Sequence, residues 1–244
     1  VSASDKGTPQ GGIVSPILAN IYLHYSLDLW FTRVFQKGCY GQSRMIRYAD
    51  DFVVCFQREV DAIRFRHELD ERLFRFGLEI SPEKTKTIEF GSVAEAKAEK
   101  RGGKAATFDF LGFTHYCSRS RNGRHFRMKR VTSHKKFTAK IRMFRDWLKA
   151  SRTLPTDELM EKVASKLRGN FAYYGVTDNS RGISRFAYEI RCLLFKWLNR
   201  RGKRGCMNWE KFNLFLKKFP LPRPRIMVNL FCLIVKCTYE EPCA

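Results

Sequence analysis

Apolar residues recur along this chain with two different periods, and the change of period marks its elements. Ile17, Leu18, Ile21, Tyr25 and Leu29 fall at helical spacing, with Asp28 the polar exception. Ser15-Pro16 ahead of them supplies an N-cap followed by proline at the first helical position, so a helix is expected to about Phe31. Met45-Ile46 and Phe52 to Phe56 are short runs rich in β-branched and aromatic residues, which predicts strand, tight turn, strand. Ile63, Phe65, Leu69, Leu73 and Phe76 return to the 3.6 period, an amphipathic helix over 59–76 that covers a sheet and ends at Gly77. Residues 78–90 read as a turn and an alternating strand, and residues 91–106, small, charged and Gly-rich, as an exposed loop. Phe108 to His115 reads as a strand with Gly112 inside it, a bend or a close approach of another backbone. Asn122-Gly123 marks a hairpin turn. Helical patterns follow at about 133–150, 156–174, 181–201 and 208–218, threaded by aromatics from Phe137 to Phe215 that pack as core by default. The tail from Pro220 to Ile226 is extended and basic.

Charge divides the chain more sharply than hydropathy does. The net charge is +22, yet residues 1–117 hold 16 Lys and Arg against 15 Asp and Glu. Residues 118–244 hold 30 against 9. The domains expected on this basis are a neutral 1–117 and a basic, helical 118–244. An excess of this size on one half is the electrostatic footprint of a polyanion, most often nucleic acid. No apolar run reaches membrane-spanning length and no lipidation signal accompanies the basic half, so no membrane partner is expected. Eight scattered cysteines without a Cys-x-x-Cys pair fit a reduced, intracellular protein better than a disulfide framework. Val1 is not an initiator, and the abrupt opening reads as a fragment of something longer.

The candidate chemistry sits at the expected turn between the first two strands. Asp50 and Asp51 are adjacent carboxylates, which repel unless something cationic lies beside them. Their oxygens suit Mg²⁺, a hard ion that takes one or two carboxylates together with substrate phosphates. A bare Asp-Asp pair is also what a solvated turn carries. The Gly-Thr-Pro-Gln-Gly-Gly loop at 7–12 feeds a helix N-terminus whose free N–H groups suit a phosphate or a base-paired strand, although such a junction can simply turn the chain. Arg119, Arg121, Arg124, Arg127, Lys129 and Arg130 crowd one short segment. His115, Cys117, His125 and His134 can be drawn as a zinc site, but their spacing fits no standard pattern.

In order along the chain, several stretches resemble motifs of one family. They are Thr8-Pro-Gln-Gly-Gly to Asn20, Tyr48-Ala-Asp-Asp51, Gly77-Leu followed by Lys84-Thr, Phe110-Leu-Gly-Phe113, and Leu167-Arg-Gly-Asn-Phe-Ala-Tyr-Tyr174. Together they are similar to the group II intron-encoded reverse transcriptase/maturases. The resemblance implies an α+β chain: a partial reverse-transcriptase palm, an antiparallel sheet with packed helices, followed by an α-helical thumb/maturase-specific domain. It implies Asp50 and Asp51 as catalytic metal ligands for two Mg²⁺ ions. Gln10, Gly11, Tyr48, Lys84, Leu111 and Gly112 would face the nucleotide and the template–primer, with Lys84 near the triphosphate and Phe110 to Phe113 as the primer grip; a Gly kink at a sheet edge is the competing reading there. Arg119, Arg121, Arg124, Arg127, Lys129, Arg130 and Arg168 would contact RNA. The expected partners are group II intron RNA, an RNA template with a DNA primer and deoxynucleoside triphosphates, in a cytoplasmic ribonucleoprotein. Relatives carry fingers and an upper palm ahead of the point where this chain begins, with a further metal-binding Asp. No residue here matches that Asp, so the 244 residues alone are expected not to polymerise. Two functions stand side by side: RNA-directed DNA synthesis, with assistance to splicing and retrohoming, and RNA binding that supports splicing without chemistry.

Overall fold

The helix that opens the chain is longer and less regular than its spacing predicts. A computed structural model describes residues 14–120, 122–201 and 207–230. In it, α1 (Ser15–Leu23) begins one residue early, with Val14 as the cap residue and Pro16 just inside. The helical path continues beyond Phe31 through two π turns, His24–Asp28 and Phe31–Phe35, to a last 3₁₀ turn at Gln36–Gly38. Each π turn is a local widening of the helix, and together they let Leu27, Phe31 and Phe35 bury themselves among Phe65, Leu69 and Leu73. A carbonyl in the first wide turn, that of Ser26, accepts from Arg72 Nε at 3.0 Å.

Against this helix lies the hairpin of β1 (Ser43–Tyr48) and β2 (Asp51–Phe56), antiparallel, with Tyr48 opposite Asp51 and Ser43 opposite Phe56. Alternation sends Met45, Phe52, Val54 and Phe56 inward against the aromatic cluster. It leaves Ile46 and Tyr48 on the outer face, 60% and 67% exposed. Helix α2 (Glu59–Arg75) covers the inner face with Phe65, Leu69 and Leu73, while Ile63 points to solvent. Gly77 stops the helix as expected: at φ +65° it lets its N–H reach Phe74 O while Leu78 N–H reaches Leu73 O. Beyond it the chain turns at Pro82–Lys84, but residues 85–90 form no strand among the described residues.

A second compact unit begins at Phe90. The stretch expected as a loop contains α3 (Ser92–Lys100), an Ala-, Glu- and Lys-rich helix that runs from Gly91 to a Gly102-Gly103 stop. The expected single strand at 108–115 is a hairpin. β3 (Phe108–Phe110) pairs with β4 (Phe113–Arg119) across Leu111-Gly112, and β4 pairs with β5 (Phe126–Thr132). The second connection carries the Asn122-Gly123 turn, with Gly123 at φ +72°. Because Cys117 pairs with Met128, the charge step at 117 lies inside this sheet, whereas the compact units divide at Glu89 and Phe90.

Four helices complete the unit: α4 (His134–Ala150), α5 (Thr156–Tyr174), α6 (Ser180–Leu198) and α7 (Trp209–Lys218). All begin and end within a few residues of their sequence patterns. Leu159, Val163, Leu167 and Phe171 of α5 meet Ile183, Phe186, Ile190 and Leu194 of α6 in a core closed by Phe144, Leu148 and Phe212. Asn179, fully buried, ties strand to helices: its side chain accepts from Thr132 N–H and donates to Thr132 Oγ1 and Tyr174 O, each at 2.8–2.9 Å. The tail is extended as expected and docks through Met227 and Val228 N–H on Gly175 O. The fold is thus α+β, a small antiparallel hairpin with packed helices followed by a sheet and a helical bundle. No helix among the described residues is long and apolar enough to cross a membrane.

Candidate active site and nucleic-acid interface

Tyr48 and Asp51 close the first hairpin, and Ala49-Asp50 form its two-residue tip. Ala49 has φ +54° and Asp50 does not share the positive φ, the pattern of a II′ turn, where glycine is the usual occupant of the first position. Both acids are exposed, and neither carboxylate has a hydrogen-bond or ion-pair partner among the described residues. The nearest strand cation is committed elsewhere. Arg47, on the inward face of β1, donates Nε to Asp28 Oδ1 at 2.8 Å and Nη2 to Asp28 Oδ2 at 2.5 Å. Its Nη1 donates to Asn20 Oδ1 and to the Ala49 carbonyl, both at 2.8 Å. The Arg47 guanidinium beside Asp28 holds that carboxyl below the usual carboxylate range, against the opposing effect of burial. Sequence reasoning left Asp28 outside every motif. The available signal was a cation at an inward position of a strand, which demands a buried counter-charge.

Two adjacent carboxylates of hard oxygen donors, unpaired among the described residues, fit Mg²⁺ in the manner of a site completed by substrate phosphates. No group of three or more His, Cys, Asp or Glu side chains is placed to hold a metal among the described residues. Lys84 sits exposed in the turn after Gly77. Gln10 and Gly11 lie outside the described residues.

In the second unit, two motifs far apart in sequence meet. Leu111 and Gly112, at φ +49° and +80°, form a tight turn between β3 and β4. Tyr173 of α5 donates its hydroxyl to Leu111 O at 2.8 Å, and the hydroxyl of buried Tyr174 lies 2.8 Å from where a Cβ on Gly112 would stand. Phe113 packs on both rings, with centroids 5.9 and 5.2 Å away. Lys140 Nζ sits 4.2 Å from the Tyr174 centroid, and burial, then the charge of Lys136, draws its ammonium below the ordinary range. Close approach at Gly112 is therefore real, and the approaching group is a side chain of α5.

The basic segment is less uniform than its sequence. Strand alternation sends Arg127 and Lys129 to one face of the sheet, with Tyr116, and Arg130 to the other, beside His115. His115 stacks on Phe108 at 4.9 Å, and burial, then the Arg130 charge, keeps its ring below the usual imidazole value. Arg119 is paired with Glu99 and, at 4.0 Å, with Glu95 of α3. Arg124 and Arg127 are exposed on the hairpin and Arg168 is exposed on α5, while Arg121 lies outside the described residues. Dividing the sequence at Glu89 and Phe90 gives 12 Lys and Arg against 12 Asp and Glu in the first unit, and 34 against 12 in the second. The first unit is neutral, and the second carries the whole excess.

Two known families match the chain in succession, with the boundary between them falling beyond the division at Glu89 and Phe90. The family described as reverse transcriptase (RNA-dependent DNA polymerase) matches residues 1–115, and the group II intron maturase-specific domain matches residues 134–215. No individually curated protein is similar enough to be matched. A polymerase match over the Asp50-Asp51 hairpin and a maturase match over the α4–α7 bundle, in that order on one chain, make this protein a member of the group II intron reverse transcriptase/maturase family.

Proposed function

We propose that the chain supplies the metal-binding acids and the RNA-gripping thumb of an RNA-directed DNA polymerase that also acts as a maturase for its intron RNA. The observation that carries the reading is the Asp50-Asp51 tip: two exposed carboxylates without a counter-ion among the described residues, on a hairpin whose nearest cation is already bound to Asp28. Asp50 and Asp51 would hold Mg²⁺ together with the phosphates of a deoxynucleoside triphosphate. Bound there, Mg²⁺ lowers the pKa of the primer 3′-OH and offsets the charge on the leaving pyrophosphate. Tyr48, across the hairpin from Asp51, offers an exposed ring beside the acids on which a base or sugar can rest. Lys84 adds a cation for the triphosphate. Leu111-Gly112, held by Tyr173 and Tyr174, gives the primer a rigid turn to lie against.

A second reading, RNA binding in support of splicing without chemistry, is favoured by the concentration of all the net charge in residues 90–244. The two are separated by Asp50→Asn in the full-length protein. Primer extension on an RNA template should fall at least about a hundredfold, the scale of losing a transition-state contact, while intron RNA affinity stays level. Extension that survives the substitution means the catalytic acids lie elsewhere, and a parent that binds intron RNA without extending a primer leaves the binding reading in possession.

A further inference from the structure

The metal-binding acids sit on a turn that its own residue types do not favour. A tight turn with positive φ at its first central position ordinarily takes glycine, and here the position is Ala49 at φ +54°. Something outside the turn must hold it, and among the described residues the Arg47 side chain reaches it. Arg47 Nη1 donates to the Ala49 carbonyl at 2.8 Å. That oxygen belongs to the planar peptide unit linking Ala49 to Asp50, so the bond fixes the plane from which the Asp50 Cα–Cβ bond departs.

Arg47 is itself fixed. Its side chain is 13% exposed, and the fork of Nε and Nη2 is engaged by both oxygens of Asp28, with Nη1 shared between Asn20 and Ala49. Asp28 and Asn20 lie on the long first helix, Asp28 as the last residue of its first π turn and Asn20 in α1. The hairpin tip is thereby referenced to that helix through one guanidinium. A lysine has neither the fork nor the donor count to reproduce this. Neutralisation by Asp28 also keeps the guanidinium from pairing with the acids it serves.

We propose that Arg47 is the positioning residue of the metal-binding turn, anchored by Asp28 and acting through the Ala49–Asp50 peptide. The proposal rests on the reading of Asp50 and Asp51 as metal ligands. Its sign makes it separable from plain electrostatics. Removing a cation and uncovering Asp28 makes the neighbourhood more negative, so by charge alone Arg47→Met should bind a divalent cation more tightly. By positioning it should bind more weakly.

The test is an Mn²⁺ titration of the 244-residue protein, followed by paramagnetic broadening of the Asp50 and Asp51 amide signals. The Ala49 φ angle is read in parallel from three-bond couplings without metal. Arg47→Met and Arg47→Lys should each raise the Mn²⁺ concentration for half-broadening about tenfold, the scale for losing a partner that orients a ligand. Both should also shift the Ala49 couplings. Arg44→Met, on the outward face of the same strand, serves as the charge control and should leave the couplings as they are. Thermal melts confirm that the variants stay folded. Tighter Mn²⁺ binding by Arg47→Met, or Ala49 couplings in Arg47→Lys equal to those of the parent, overturns the proposal. Absence of selective broadening at Asp50 and Asp51 in the parent overturns the metal reading instead, and the coupling data then judge Arg47 alone.

Discussion

Gly112→Ala should be among the most costly single-methyl additions in the second unit, for two separable reasons. At φ +80° any L side chain is strained, by about 1–2 kcal/mol. The new Cβ would also stand 2.8 Å from Tyr174 Oη, closer than real Cβ contacts come. Tyr174 has little room to yield: it is 3% exposed, with Phe113 and Lys140 against its ring. Overpacking of this kind costs about 1–3 kcal/mol, so the two effects together come to about 2–5 kcal/mol. That is a large share of a folded unit's stability of about 5–15 kcal/mol. Two further variants divide the sum. Gly123→Ala has φ +72° and open space around its Cβ, so it should show the backbone cost alone, about 1–2 kcal/mol. Adding Tyr174→Phe to Gly112→Ala removes the clashing oxygen and leaves ring carbons at 3.7 Å, ordinary contact, so part of the loss should return. Urea unfolding followed by tryptophan fluorescence reads all three, since Trp147, Trp197 and Trp209 report on this unit. If Gly112→Ala is no worse than Gly123→Ala, or Tyr174→Phe restores nothing, the lock between α5 and the turn is not as described.

RNA affinity of the chain should fall steeply with salt, with a log–log slope of about −4 to −5 if about 6 phosphates are neutralised. Changing Arg119, Arg121, Arg124 and Arg127 together to Ala should flatten it by about 2–3 with the fold intact, and Arg119→Ala alone should contribute least because Glu95 and Glu99 already hold it. A salt-indifferent interaction, or a quadruple variant that binds like the parent, would refute the RNA grip. Asp28 supplies a pH test: its folded-state pKa is depressed, so the Arg47 pair contributes stability above the unfolded value of about 3.9, and that stability is lost as pH falls through the folded one. Acid unfolding curves should show this loss in the parent and not in Arg47→Met; identical curves would mean the pair is inert.

Features governed by a few neighbouring residues were legible in the sequence. Helices α4 to α7 follow from apolar spacing, the stop at Gly77 from the one residue at ease with φ +65°, and the second-sheet hairpin from Asn122-Gly123. The Tyr48 to Asp51 hairpin was readable for the same reason, since two strand-like runs flank two turn residues. What escaped depends on partners distant in sequence. Helix α3 has no apolar stripe to announce it, and the groups it meets, Arg119 beside Glu95 and Glu99 and Cys117 beside Gly91, lie about twenty or more residues further on. Residues 85–90 carry a strand's alternation yet form no strand among the described residues, since a local pattern does not by itself build a ladder. Crowded basic residues 119–130 look like one patch on paper, yet a strand's period of two sends them to opposite faces. The site divides in the same way. Asp50 and Asp51 were visible as a pair, but their orientation depends on Arg47 bonding a carboxylate nineteen residues earlier in the chain. Likewise Gly112 was visible as a special position, and only the packing of α5 shows that Tyr174 is what requires it. Local rules choose elements because they act within a turn or a strand; contacts across the fold choose which of those elements meet, and the site is made of such meetings.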